Sequence, residues 1–208
     1  NKEDPDIHSN LGDTLRDQGL LDEAVASYRE ALGINPNHYG ALNNLGWALH
    51  KLGKLEEAVS SYRNAIAIGP DHVNAHNNLG LALQALDRPE DAADSYRTAL
   101  ELNPEMPGVL NSLGLILMES KQGVEAQQCF SRAVNLEPEN GLFWAGYGSL
   151  LNASSFTSWD DGVGEDMVLI LDQPNVLPKR IAAAIASALN HHPIIREVRA
   201  LADSGGLE

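Results

Sequence analysis

Leu11, Gly12, Ala24, Tyr28, Ala31 and Pro36 return 34 residues later as Leu45, Gly46, Ala58, Tyr62, Ala65 and Pro70. A third copy reads Leu79, Gly80, Ala92, Tyr96, Ala99 and Pro104, and a fourth reads Leu113, Gly114, Ala126, Phe130, Ala133 and Pro138. A period of this length, held without a gap over residues 5–138, predicts a solenoid of stacked helical hairpins and excludes a closed globule. No single hairpin can bury its apolar stripe alone, so each copy depends on its neighbours.

Two amphipathic helices are expected per copy. In the first copy Ile7, Leu11 and Leu15 have helical spacing, as do Ala24, Tyr28, Ala31 and Leu32. Small residues at Gly12, Ala24 and Ala31 let two helix backbones approach closely, and Tyr28 fills the gap they leave. Gly19 and Gly53 suit a left-handed helix end, and Pro89 suits a first helical turn. Asn35-Pro36 and Asn103-Pro104 break the second helix before the next copy starts. The acid pairs Asp22-Glu23, Glu56-Glu57 and Glu90-Asp91 fall in the first turn of a second helix, where they complement the helix dipole.

This pattern of Leu-Gly, Ala, aromatic, Ala and Pro resembles the tetratricopeptide repeat. The resemblance implies an all-α fold: a right-handed superhelical solenoid of antiparallel helix pairs, with repeats at 5–38, 39–72, 73–106 and 107–140. It further implies that the first helix of each pair lines a concave groove, into which the residues before Leu-Gly point. Those residues are Ser9-Asn10, Asn43-Asn44, Asn77-Asn78 and Asn111-Ser112. Stacking would set Asn10, Asn44 and Asn78 in one row and Asn43, Asn77 and Asn111 in a second. An amide offers both donors and an acceptor, so such a row can pair with an extended peptide backbone with little regard to its side chains. The same amides can instead tie each hairpin to the next, and both roles stay open at this point. Trp47 and Leu81, with Leu115, lie one helical turn along the same face and are the candidate side-chain anchors. The Asn-Leu-Gly row is similar to the asparagine ladder in the superhelix of O-linked N-acetylglucosamine transferase, with Ser112 as the departure. The carboxylate clamp of chaperone-tail binders is not matched. Its positions hold Ser9, Asp13, Asn44, Asn74 and Asn78, so its basic residues are missing.

A fifth copy begins with Trp144, Tyr147, Gly148 and Leu151, then gives way to a turn-like stretch over 154–162. Residues 141–206 are expected to form this incomplete repeat and a helical C-terminal cap, with helices over Glu165–Asp172, Lys179–His191 and Ile194–Asp203. Trp144 and Trp159 are expected in the packing of that joint. The tail resembles the helical connector that follows the repeats in large bacterial proteins carrying a methyltransferase or sulfotransferase domain. The final Leu207-Glu208 reads as the scar of a purification tag, and the abrupt start at Asn1 fits a fragment of a longer protein.

A net charge of -15 argues against a nucleic-acid backbone as partner. No run is apolar for the length of a membrane span, so no membrane partner is expected. The lone Cys129 excludes a disulfide framework; beside Phe130 it reads as a buried thiol, and so little cysteine favours a reducing cytoplasm. There is no phosphate-binding glycine loop, nucleophile elbow or Cys-x-x-Cys, so no catalytic residue, cofactor or metal site is expected. His8 and His76 read as packing residues, His38 and His72 as turn residues, and His50 faces the groove. His191-His192 ends a helix.

These observations predict a non-catalytic interaction scaffold that takes an extended peptide or partner helix at Asn10, Asn43, Asn44, Trp47, Asn77, Asn78, Leu81 and Asn111. Two alternatives stand beside it. One is a substrate-docking arm of a larger methyltransferase, sulfotransferase or glycosyltransferase. The other is a self-association module that forms a homo-oligomer through its tail or groove.

Overall fold

A computed structural model describes residues 4–153, with side chains through residue 150. The helices expected between 165 and 203, Trp159 and the His191-His192 pair lie outside the described residues. Within them the elements are α1 (Pro5–Asp17), α2 (Leu21–Ile34), α3 (Tyr39–Lys51), α4 (Leu55–Ile68), α5 (Val73–Ala85) and α6 (Pro89–Leu102). They continue as α7 (Pro107–Glu119), α8 (Gly123–Leu136) and α9 (Gly141–Ala153), with no strand among the described residues. The fold is all-α, built from antiparallel helix pairs in the expected repeat.

Local chemistry sets the ends of these helices. Asp4 caps α1 by accepting from the Asp6 N–H at 3.0 Å, with Pro5 at the first helical position. Gly19 and Gly53 follow α1 and α3 with φ of +79° and +75°. The same slot in the third and fourth copies holds Asp87 at φ 58° and Lys121 at φ 60°. A Cβ makes that conformation costly, by about 1–2 kcal/mol per residue. The Asn35 and Asn103 side chains each accept from the N–H two residues on, at 3.0 and 3.1 Å, closing turns before the next copy. His38 caps α3, its Nδ1 accepting from the Ala41 N–H at 3.1 Å while Nε2 meets Asp6 at 2.8 Å.

The chain divides into two units, Asn1–Val109 and Leu110–Glu208. In the first, α1 packs on α2, α3 on α4 and α5 on α6. Each second helix then carries the next first helix, α2 against α3 and α4 against α5. Tyr28, Tyr62 and Tyr96 are fully buried inside the three hairpins. A Cβ placed on Gly12, Gly46 or Gly80 would lie 2.5, 2.7 or 2.5 Å from the facing ring. The glycine is therefore what lets the ring fit. Across the repeat joints Leu32, Tyr39 and Ile66 pack against a buried cluster of Leu42, Ala65 and Ala75, and Tyr39 stacks on His72 with ring centroids 3.6 Å apart.

In the second unit Phe130 takes the tyrosine slot, against Gly114 and Gly146. The next helix, α9, packs on α8. Trp144 is buried and its Nε1 donates to the Pro138 carbonyl at 2.7 Å. Cys129 is buried.

One expectation fails. Ile7 and Leu11 belong to the core pattern but are 49% and 47% exposed. Their equivalents Ala41, Leu45, Ala75 and Leu79 are all buried. The difference is the neighbour: α2 and α4 cover α3 and α5, and no second helix precedes α1 among the described residues.

Candidate interaction face on the first helices

Within the unit Asn1–Val109, α1 touches α3 and α3 touches α5, so the first helices share one face. Asn43, Asn44, Asn77 and Asn78 are half-buried there and Asn10 is exposed. Their amides join the repeats. The Asn78 Nδ2 donates to Asn43 Oδ1 at 3.3 Å, Asn43 Nδ2 to Asn44 Oδ1 at 3.2 Å, and Asn44 Nδ2 to Asp13 Oδ1 at 2.8 Å. The same Asp13 oxygen accepts from the Tyr28 hydroxyl at 2.8 Å and from Arg16 at 3.2 Å. A chain of amides thus runs from α5 across α3 to α1 and ends on one carboxylate.

This pairing gives Asn44 and Asn78 an inter-repeat role, the second of the two that sequence leaves open. It does not exhaust them, since each donating amide has a second N–H. Asn44→Ala should cost about 1.5 kcal/mol, the scale of a hydrogen bond to a charged acceptor. Asn10→Ala, at an exposed amide, should cost almost nothing. Urea denaturation of both variants checks the contrast, and equal stability would dismiss the amide chain as a stabilising element.

The tyrosines below this face differ in one respect. Burial first, and then its bond to Asp13, push the Tyr28 hydroxyl above its ordinary pKa and keep it a donor. The Tyr96 hydroxyl donates to Gln84 Oε1 at 3.0 Å. The Tyr62 hydroxyl is buried with no hydrogen-bond partner, and burial alone raises its pKa. In the second copy Trp47 stands where the first has Asp13, and His50 stands where the third has Gln84. Trp47 is half-buried, with Arg16 at 5.7 Å and Lys51 at 5.5 Å from its ring centre. His50 is half-buried too; burial first and Lys51 second lower its pKa, so the ring is neutral at pH 7. Leu81 is 38% exposed on α5.

Asn111 lies in the second unit, where its Oδ1 is buried without a hydrogen-bond partner, 3.0 Å from the place a Gly146 Cβ would occupy. Sequence reading singled out the asparagines and missed Asp13 as the acceptor on which their chain ends. The signal was present: Asp13 is the one acid at a slot otherwise held by Trp47, Leu81 and Leu115. Among the described residues no group of three His, Cys, Asp or Glu side chains is placed to hold a metal ion, and no helix is long and apolar enough to cross a membrane.

A family model described as TPR repeat matches residues 12–53 and 46–87, and one described as tetratricopeptide repeat matches 73–106. No curated protein matches in sequence. Among solved structures, that of MamA is similar at a TM-score of 0.69 and 19% identity, over 88% of this chain and 91% of that one. YrrB, a TPR protein with an unusual peptide-binding site, is similar at 0.68 and 19%, over 97% and 94%. The first TPR of Spaghetti (RPAP3), bound to the HSP90 peptide SRMEEVD, is similar at 0.56 and 26%, over 58% of this chain and 96% of that one.

Proposed function

Because residues 12–106 carry tetratricopeptide repeats, we propose that this chain is a protein-interaction scaffold whose first-helix face binds an extended peptide or a partner helix. The observation that carries the reading is Trp47 and Leu81, two large apolar side chains left partly open beside a row of amides. The peptide-binding site of YrrB and the peptide held by the RPAP3 repeat support it.

Magnitudes divide the work between anchors and amides. The second N–H groups of Asn43, Asn44 and Asn78 net about 1 kcal/mol each, too little to offset the cost of association. Affinity must come from apolar anchoring, with the amides fixing the register of the peptide. Asp13 adds a constraint on charge. It stands at a position where a carboxylate clamp needs a neutral or basic group, so a partner's terminal carboxylate is disfavoured there.

Trp47→Ala combined with Leu81→Ala tests the face. A partner captured from lysate by the wild type should bind the purified double variant at least about tenfold more weakly, a loss on the scale of one hot-spot anchor. Arg63→Ala, on an exposed position of α4, should bind it as the wild type does. A partner that binds all three alike would move the site off the first helices.

A further inference from the structure

Three copies of one hairpin place the same buried tyrosine under the same face, and only one of them lacks a hydrogen-bond partner for its hydroxyl. Tyr28 has Asp13 and Tyr96 has Gln84, whereas Tyr62 has none. Packing does not require that hydroxyl. Phe130 fills the corresponding slot of the fourth copy with a bare ring, fully buried. A buried hydroxyl without a partner is a net loss to the free protein compared with phenylalanine. The two positions that could satisfy it from α3 carry Trp47 and His50, and both are half-buried at the candidate interaction face.

We infer that the Tyr62 hydroxyl is a specificity subsite of this face, donating to an uncharged acceptor of the bound partner, a peptide carbonyl, whose neighbouring apolar side chain packs on Trp47. The inference rests on the first helices being the binding face. Local charge selects an uncharged acceptor over a carboxylate. The two cations beside Trp47 are Arg16 and Lys51, and Arg16 already faces Asp13 at 3.2 Å and Asp17 at 3.0 Å. Two carboxylates therefore accompany the two cations, and His50 adds no charge at pH 7. The hydroxyl is buried in the free chain, so a side chain must move for the partner to reach it. Trp47 and His50, at the slots of Asp13 and Gln84, are the residues to which we assign that movement. Trp47 is the easier to move, because the groups at its ring faces are long, flexible side chains.

The test uses peptides enriched from a phage-displayed random library on the intact chain, synthesised and titrated against variants. Tyr62→Phe should weaken them on the order of tenfold, the loss of one buried hydrogen bond, while remaining at least as stable as the wild type. Tyr96→Phe, which removes a hydroxyl already bonded to Gln84, should change stability and leave affinity alone. Peptides that need Trp47 and Leu81 but bind Tyr62→Phe as well as the wild type would overturn this inference and leave the groove reading standing. Failure of any peptide to enrich on the wild type over the Trp47→Ala, Leu81→Ala variant would remove both.

Discussion

Tyr62→Ala should lower the unfolding free energy by about 3–5 kcal/mol, the range for truncating a large aromatic side chain in a core. The ring is fully buried between α3 and α4, and its surroundings are already small: Gly46, Ala58 and Ala65 are buried around the same hairpin. Small neighbours cannot lean in to fill the cavity, so the loss should fall at the upper end. The hydroxyl adds nothing favourable to that figure, because it is buried without a partner. Tyr62→Phe should therefore be neutral or slightly stabilising. Tyr28→Phe, which strips a bond from the Asp13 carboxylate, should instead lose about 1.5 kcal/mol. In a repeat array the damage stays near its origin, since stability is a sum of hairpin and nearest-neighbour contributions. Hydrogen exchange should show α3 and α4 opening first, before α1–α2 or α5–α6. A loss under about 1 kcal/mol in urea would mean that the hairpin collapses onto the cavity, contrary to the packing described.

The hairpins were legible because their information is local and periodic. Gly12 and Tyr28 recur at one spacing, and the close approach that explains them needs only those two residue types. The left-handed slot was half legible. Gly19 and Gly53 announce it, whereas Asp87 and Lys121 disclose it only by position within the period. The interaction face was legible in composition and not in pairing. Whether an amide points to solvent or to the next hairpin depends on what stands one turn away on a different helix, and there Asp13 decides the matter for Asn44. Ile7 and Leu11 show the opposite limit. Their spacing declares a core residue, but burial is a property of the neighbour, and α1 has no second helix before it among the described residues. The orphaned Tyr62 hydroxyl combines both limits, because it emerges only when three equivalent side chains are compared with their surroundings.

The second large effect is one substitution with two opposite signs. Alanine exceeds glycine as a helix former by about 1 kcal/mol, so Gly→Ala inside a helix should stabilise wherever there is room. Gly33, near the end of α2, has nothing within 4 Å of the place a Cβ would take, and Gly33→Ala should gain about 0.5–1 kcal/mol. Gly80 also lies within a helix, but its Cβ would meet Tyr96 Cε1 at 2.5 Å and Cδ1 at 2.7 Å. The ring is fully buried and cannot swing away, so α5 and α6 must separate. Gly80→Ala should cost about 1–3 kcal/mol, the range for overpacking a filled core. Removing the phenolic oxygen cannot relieve this, because the clash is with ring carbons. Gly80→Ala should be as harmful beside Tyr96→Phe as beside tyrosine. Beside Tyr96→Leu, whose side chain vacates the ring edge, the combined loss should be smaller than the sum of the two single losses, since residues in contact do not add independently. Thermal denaturation of this double-mutant cycle separates steric fit from helix propensity. Strict additivity would place the role of Gly80 in the helix backbone and not under the ring.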